Sequence, residues 1–252
     1  VRNDDGDLDI ALNLNEAVLR PQNNAEALPA VSLNLLATVD DGGGLYLIGA
    51  TVSATTDLAS VIISNEAARH GGGVYISPNA GTASYTLTGV NSKIESNTAV
   101  QHGGGVYADG AAVTVTIDDT AVIKSNTATL NGGGVYGTNS ATIKVKGASV
   151  VESNTAVDGG GLYMLKATCQ VTTSSTLRSN TATGNGGGWH ADGSTITLTD
   201  VTVTTNTAAT SGGAGYMTKA VAGAAVASSM ALTGALSKLT SNTATAGGGA
   251  AP

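Results

Sequence analysis

Phenylalanine is absent from this chain, which also has one Trp, one Cys and four Pro among its 252 residues. Aromatic residues amount to 3%, which excludes a globular core filled by large rings. The core must be narrow, built from Val, Ile, Leu and Ala within an apolar content of 41% and held together largely by backbone pairing. The lone Cys169 cannot form an internal disulfide framework. Charged residues are only 12%, too few for a highly charged disordered chain, and the Glu/Lys/Leu heptads of a coiled coil are missing. A basic surface is missing too: the net charge of −7 argues against a nucleic-acid partner. No apolar run reaches the roughly 18 residues of a membrane span. The best candidate, Ala220 to Leu232, is broken by Ser228 and Ser229. No Asn-x-Ser/Thr sequence occurs either.

Glycine, by contrast, is abundant at 35 residues, and it is periodic. Gly-rich runs recur at 42–44, 71–73, 103–105, 132–134, 159–161, 186–188 and 212–213, and most lead straight into Leu or Val followed by Tyr. A second signal is an aliphatic residue, two variable positions, then Asn. The asparagines are Asn65, Asn97, Asn126, Asn154, Asn180, Asn206 and Asn242, spaced by 32, 29, 28, 26, 26 and 36 residues. Alternating runs such as Thr86-Leu87-Thr88, Thr114-Val115-Thr116 and Thr197-Leu198-Thr199 lie between the two signals and read as strands. Each unit thus offers three short strands: one after the glycines, one in the middle and one ending at the Asn. Units this short cannot each bury a core, so they are expected to stack. The expectation is an all-β chain forming a parallel β-helix, a solenoid of about seven coils with three strands per coil. Residues 32–252 form this repeat domain, with the asparagines making an internal amide ladder.

The pair of signals, Gly-Gly-Gly-Val-Tyr and aliphatic-x-x-Asn-Thr-Ala, resembles the repeats of chlamydial polymorphic outer membrane proteins. Those repeats carry Gly-Gly-Ala-Ile and Phe-x-x-Asn; here Gly replaces the Ala, and Ile, Val or Leu replaces the Phe. The resemblance covers about residues 42–249 and implies a right-handed parallel β-helix of the pectin-lyase-like kind. It also implies display outside a cell, often in adhesion.

Residues 1–31 are expected to be an acidic N-terminal segment capping the first coil. Residues 1–41 hold eight acids against two bases, whereas the rest of the chain is nearly neutral. The stretch Asn3-Asp4-Asp5-Gly6-Asp7-Leu8-Asp9-Ile10 resembles the calcium loop of integrin-type or VCBS-type repeats. That resemblance would make Asn3, Asp5 and Asp9 ligands of Ca²⁺; a solvated acidic tail is the plainer reading. No other cofactor is expected.

Six of the seven tyrosines, Tyr46, Tyr75, Tyr107, Tyr136, Tyr163 and Tyr216, occupy one column, with His190 completing it. If the preceding aliphatic residues point inward, these rings point outward, where they could stack on sugars, meet a neighbouring rod or simply strengthen the stack. Trp189 falls at an aliphatic position, so either the core widens there or the facing is reversed. His70 and His102 each precede a glycine run, where adjacent coils could bring the two imidazoles close enough for a metal; with no third strong ligand adjacent, exposed corner residues are the better reading. The pairs Thr86/Thr88, Thr114/Thr116, Lys144/Lys146, Gln170/Thr172, Thr197/Thr199 and Ala231/Thr233 flank the middle-strand aliphatic. Such a Thr-x-Thr array resembles the ice-binding face of antifreeze solenoids, with a break at Lys144 and Lys146. An enzyme would need paired acids within about 5–9.5 Å. Asp109 and Asp192 share a register three coils apart, so no such pair is evident.

The expected function is therefore a non-catalytic structural or adhesive rod, part of a larger surface protein, appendage or filament, extracellular or at the cell surface. Its partners would be other protein subunits, copies of itself or glycans. Ice or glycan binding is the alternative reading, and polysaccharide cleavage stands behind it.

Overall fold

The computed structural model describes residues 32–33, 39–57, 59–218 and 227–246. They form a parallel β-solenoid of about six turns, all-β and without a helix. Hence no described helix is long and apolar enough to cross a membrane. The seven asparagines stand at corners and bound six complete turns, which accounts for the difference from the expected seven coils.

A representative coil has four strands rather than the expected three. They are β1 (Val106–Asp109), β2 (Val113–Ile117), β3 (Val122–Lys124) and β4 (Thr127–Ala128). Each pairs in parallel with its counterparts in the coils above and below. In the two coils nearest the N-terminus, β1 and β2 fuse into single strands, Leu45–Thr56 and Val74–Leu87, so both columns join in one 12-stranded sheet. The overlooked β4 is the Thr-Ala pair that follows six of the seven asparagines, too short to show any alternation; after Asn65 it is the longer strand Glu66–His70.

Sequence explains the corner between β3 and β4. The residue before each Asn is Ser or Thr with positive φ, from Ser64 at 57° to Ser241 at 55°. That left-handed residue turns the chain and aims the Asn side chain inward, at a local backbone cost of roughly 1–2 kcal/mol. The glycine run makes the corner between β4 and the next β1, and its members serve different ends. Gly103 has φ of 68°, whereas a Cβ on Gly104 would lie 2.5 Å from the Thr127 carbonyl oxygen and 2.6 Å from that of Gly133.

Inside, alternation places one aliphatic column behind another. Ile62, Ile94, Ile123, Val151, Leu177 and Val203 fill the β3 column and are almost wholly buried. Large residues are matched by small ones along the axis. Trp189 lies in the core at 3% exposure, so the inward facing of its column holds. Its indole fills the space that a Cβ on Gly215, its partner in the next coil, would need. Tyr85, the tyrosine outside the column, is fully buried beside Ala54 and bonds to the Thr56 hydroxyl at 2.5 Å.

Candidate functional site

Six of the seven asparagines are buried, with Asn242 partly so, and their amides bond continuously from coil to coil. Asn126 is typical. Its Nδ2 donates to Asn154 Oδ1 at 3.0 Å and to the Ile94 carbonyl at 3.0 Å. Its Oδ1 accepts from the backbone N–H and the Nδ2 of Asn97 at 2.9 and 3.0 Å. The side chain therefore fills both donor positions and both acceptor positions without water. The same pattern runs from Asn65 to Asn242. Such an amide column holds a corner and leaves no group free for chemistry.

The tyrosine column forms a second ladder, on the outer face of the β1 sheet. Rings of Tyr46, Tyr75, Tyr107, Tyr136 and Tyr163 follow one another at centroid distances of 5.1–5.2 Å. From Tyr75 to Tyr163 they are within 7° of parallel. His190 tilts 46° against Tyr163 and meets Tyr216 edge-on. The rings are less exposed than their outward position suggests. Tyr136 and Tyr163 are buried at 5% and 8%, and only Tyr46, at 48%, is largely open.

His70 and His102 explain part of this burial, and they correct the expectation of exposed corner residues. The His70 ring stacks on Tyr107 at 4.5 Å and the His102 ring on Tyr136 at 4.6 Å, each one coil further on. The ladder is thus flanked by stacked histidines at Tyr107 and Tyr136. Sugar stacking needs an open ring face. Here the faces meet one another, so the ladder chiefly joins coils.

Burial also sets the protonation of these groups. Desolvation pushes the Tyr75 and Tyr136 hydroxyls up to about 12, so they stay neutral. Burial, with the neighbouring His70 adding to it, lowers the His102 imidazole to about 4. Burial likewise lowers His190, although Asp158 and Asp192 oppose it. Both His190 nitrogens lack hydrogen-bond partners among the described residues. No described cluster of His, Cys, Asp or Glu could hold a metal ion. The proposed calcium ligands Asn3, Asp5 and Asp9, and the acidic segment 1–31 around them, lie outside the described residues.

The β2 face shows a register that sequence reading had wrong in one coil. Leu87 aligns with Ile117, Val145, Val171, Leu198 and Leu232, so Val115 belongs to the neighbouring inner column. The pair Thr114/Thr116 is therefore replaced by Thr116/Asp118, and Asp118 adds a break, ion-paired with Lys146 at 2.6 Å. Thr114 instead belongs to a column the sequence did not reveal: Ser53, Ser84, Thr114, Thr142, Thr168, Thr195 and Ser229, without interruption. Asp109 and Asp192 do lie in one column three coils apart, roughly 14 Å at the usual strand spacing. No family model, curated protein or solved structure matches this chain.

Proposed function

We propose that this chain is a non-catalytic structural rod, an extracellular or cell-surface segment of a larger adhesive protein, appendage or filament. The observation that carries this reading is how the repeated side chains are used. Asparagine amides and tyrosine rings recur at one place per coil and bond or stack on their own counterparts. Function then resides in length and lateral surface rather than in a pocket. Placement outside a cell rests on the resemblance of the Gly-Gly-Gly-Val-Tyr and aliphatic-x-x-Asn signals to the chlamydial surface-protein repeats.

Electron microscopy of the full chain, combined with a glycan array, thermal hysteresis and a reducing-end assay, tests this reading. Short rods that score nothing in the other three assays are the expected result. Release of reducing ends from a polysaccharide would overturn the non-catalytic reading. Ice binding is the second reading, favoured by the unbroken Ser/Thr column from Ser53 to Ser229. Thermal hysteresis lost on replacing Thr142 and Thr168 by Val or Lys would establish it in place of the passive rod.

A further inference from the structure

The outer row of the β3 sheet carries a charge sequence that is complementary to itself when reversed. Reading along the rod, the residue after the buried aliphatic is Glu95, Lys124, Glu152 and Arg178, in register in four successive coils. All four side chains are partly exposed on the same face. Their signs are −, +, −, +. The row before the aliphatic holds Lys93, Val122, Val150 and Thr176, nearly neutral with two valines at its centre.

We propose that this face docks a second copy of the same chain, antiparallel, about a two-fold axis along the strand direction between the coils of Lys124 and Glu152. Such an axis reverses the rod and keeps the strand direction, so it lays the charged row on the charged row. Glu95 then opposes the partner copy's arginine, Lys124 opposes its Glu152, and the two-fold repeats both contacts. Val122 meets Val150 beside them. This is an isologous interface, in which one patch complements itself. The alternative two-fold, along the rod, gives parallel rods and sets the charged row against the row of Lys93, Val122, Val150 and Thr176. Only Glu95 against Lys93 would then match. Charge complementarity therefore selects the antiparallel dimer. The strip spans eight strands, roughly 34 Å by 10 Å of backbone on each copy, less than the roughly 1,000 Å² in total that a stable interface buries, so the dimer should be weak, transient and salt-sensitive.

Alternation also suits a single chain, where Lys124 pairs with Glu95 at 2.9 Å and Arg178 with Glu152 at 2.5 Å. Two charge swaps separate these explanations. K124E alone or E152K alone sets two like-charge contacts across the proposed interface. A mixture of the two variants restores every opposite-charge contact between chains. The double variant K124E/E152K does the same within a homodimer, while turning both intrachain ion pairs into like-charge contacts.

Sedimentation equilibrium of the full chain in about 20 mM salt is the assay, with circular dichroism confirming the fold. Expected are a wild-type dimer weakened at least about tenfold at 500 mM salt, single variants weakened at least about tenfold, and a 1:1 mixture close to wild type. The double variant should also dimerise, and it carries the test if a single variant does not fold. A wild-type monomer at 100 µM, single variants that dimerise like wild type, or a mixture that stays monomeric would overturn the proposal. The rod reading survives any of these, since a passive rod need not pair.

Discussion

Replacing Asn126 by Ala in the middle of the amide ladder should be among the most damaging single changes available. The substitution removes four hydrogen bonds of 2.9–3.0 Å at a site with no exposure. The Asn97 backbone N–H and one hydrogen of its Nδ2 then lose their acceptor. Asn154 Oδ1 keeps only the Asn126 backbone N–H, at 2.9 Å, and the Ile94 carbonyl loses a donor. Each stranded buried donor costs about 1–3 kcal/mol, and under-satisfied carbonyls cost less because each has a second lone pair. The expected loss is roughly 3–6 kcal/mol, a large share of the 5–15 kcal/mol that holds a typical domain together. Urea unfolding followed by circular dichroism measures it, with Thr116→Ala on the outer face as a control expected within about 0.5 kcal/mol of wild type. Asn126→Asp should be as damaging, because a carboxylate offers no donor to Asn154 and brings a charge into the core. An Asn126→Ala loss under about 1 kcal/mol, with the denaturant slope unchanged, would refute the claim that the ladder holds the coils.

Histidine gives a second prediction. Folding lowers His102 to about 4, whereas an unfolded chain keeps it near 6.5, so below that value the unfolded state binds a proton that the folded state refuses. Stability should therefore fall as pH drops from about 6.5 toward 4, and His102→Asn should flatten the slope in urea titrations between pH 7.5 and 5.5. Gly215→Val should abolish folding by overlapping the Trp189 indole, and Trp189→Leu in the same chain should restore it; a double variant as unstable as the single one would contradict that packing. Cys169 is fully buried, and burial pushes its thiol up to about 12, so Ellman's reagent should react only on unfolding. Fast labelling of the native protein would count against the described core.

How much of this was readable depended on the physical source of each signal. The Asn column and the inward aliphatics were legible because one residue type recurs wherever an identical corner or core slot recurs. The Thr-Ala strand was not, since two residues cannot display a period. A Ser or Thr before every Asn was visible in the sequence, yet it reads as an ordinary polar position until φ shows it to be left-handed. Val115 was misplaced because a strand such as Val113–Ile117 sends three residues inward, and alternation alone cannot say which one aligns with Leu87. The burial of His70 and His102 depends on the following coil's tyrosine, a neighbour about 35 residues away that only the stacking offset brings close.

That offset bears on where binding could occur at all. A side chain in a solenoid has two neighbours of its own kind, about 4.8 Å above and below. Flat or amide-bearing groups at that spacing satisfy one another, which is why the asparagines and tyrosines are turned inward on their own columns rather than toward a partner. Charged groups behave differently. Glu95 and Lys124, or Glu152 and Arg178, pair along the axis, yet these side chains remain partly exposed and their fields extend from the face. Hydroxyls in the column from Ser53 to Ser229 also keep outward exposure. The surfaces free to recognise something are therefore the β2 and β3 faces, and the aromatic column that first draws attention in the sequence belongs chiefly to the stability of the rod.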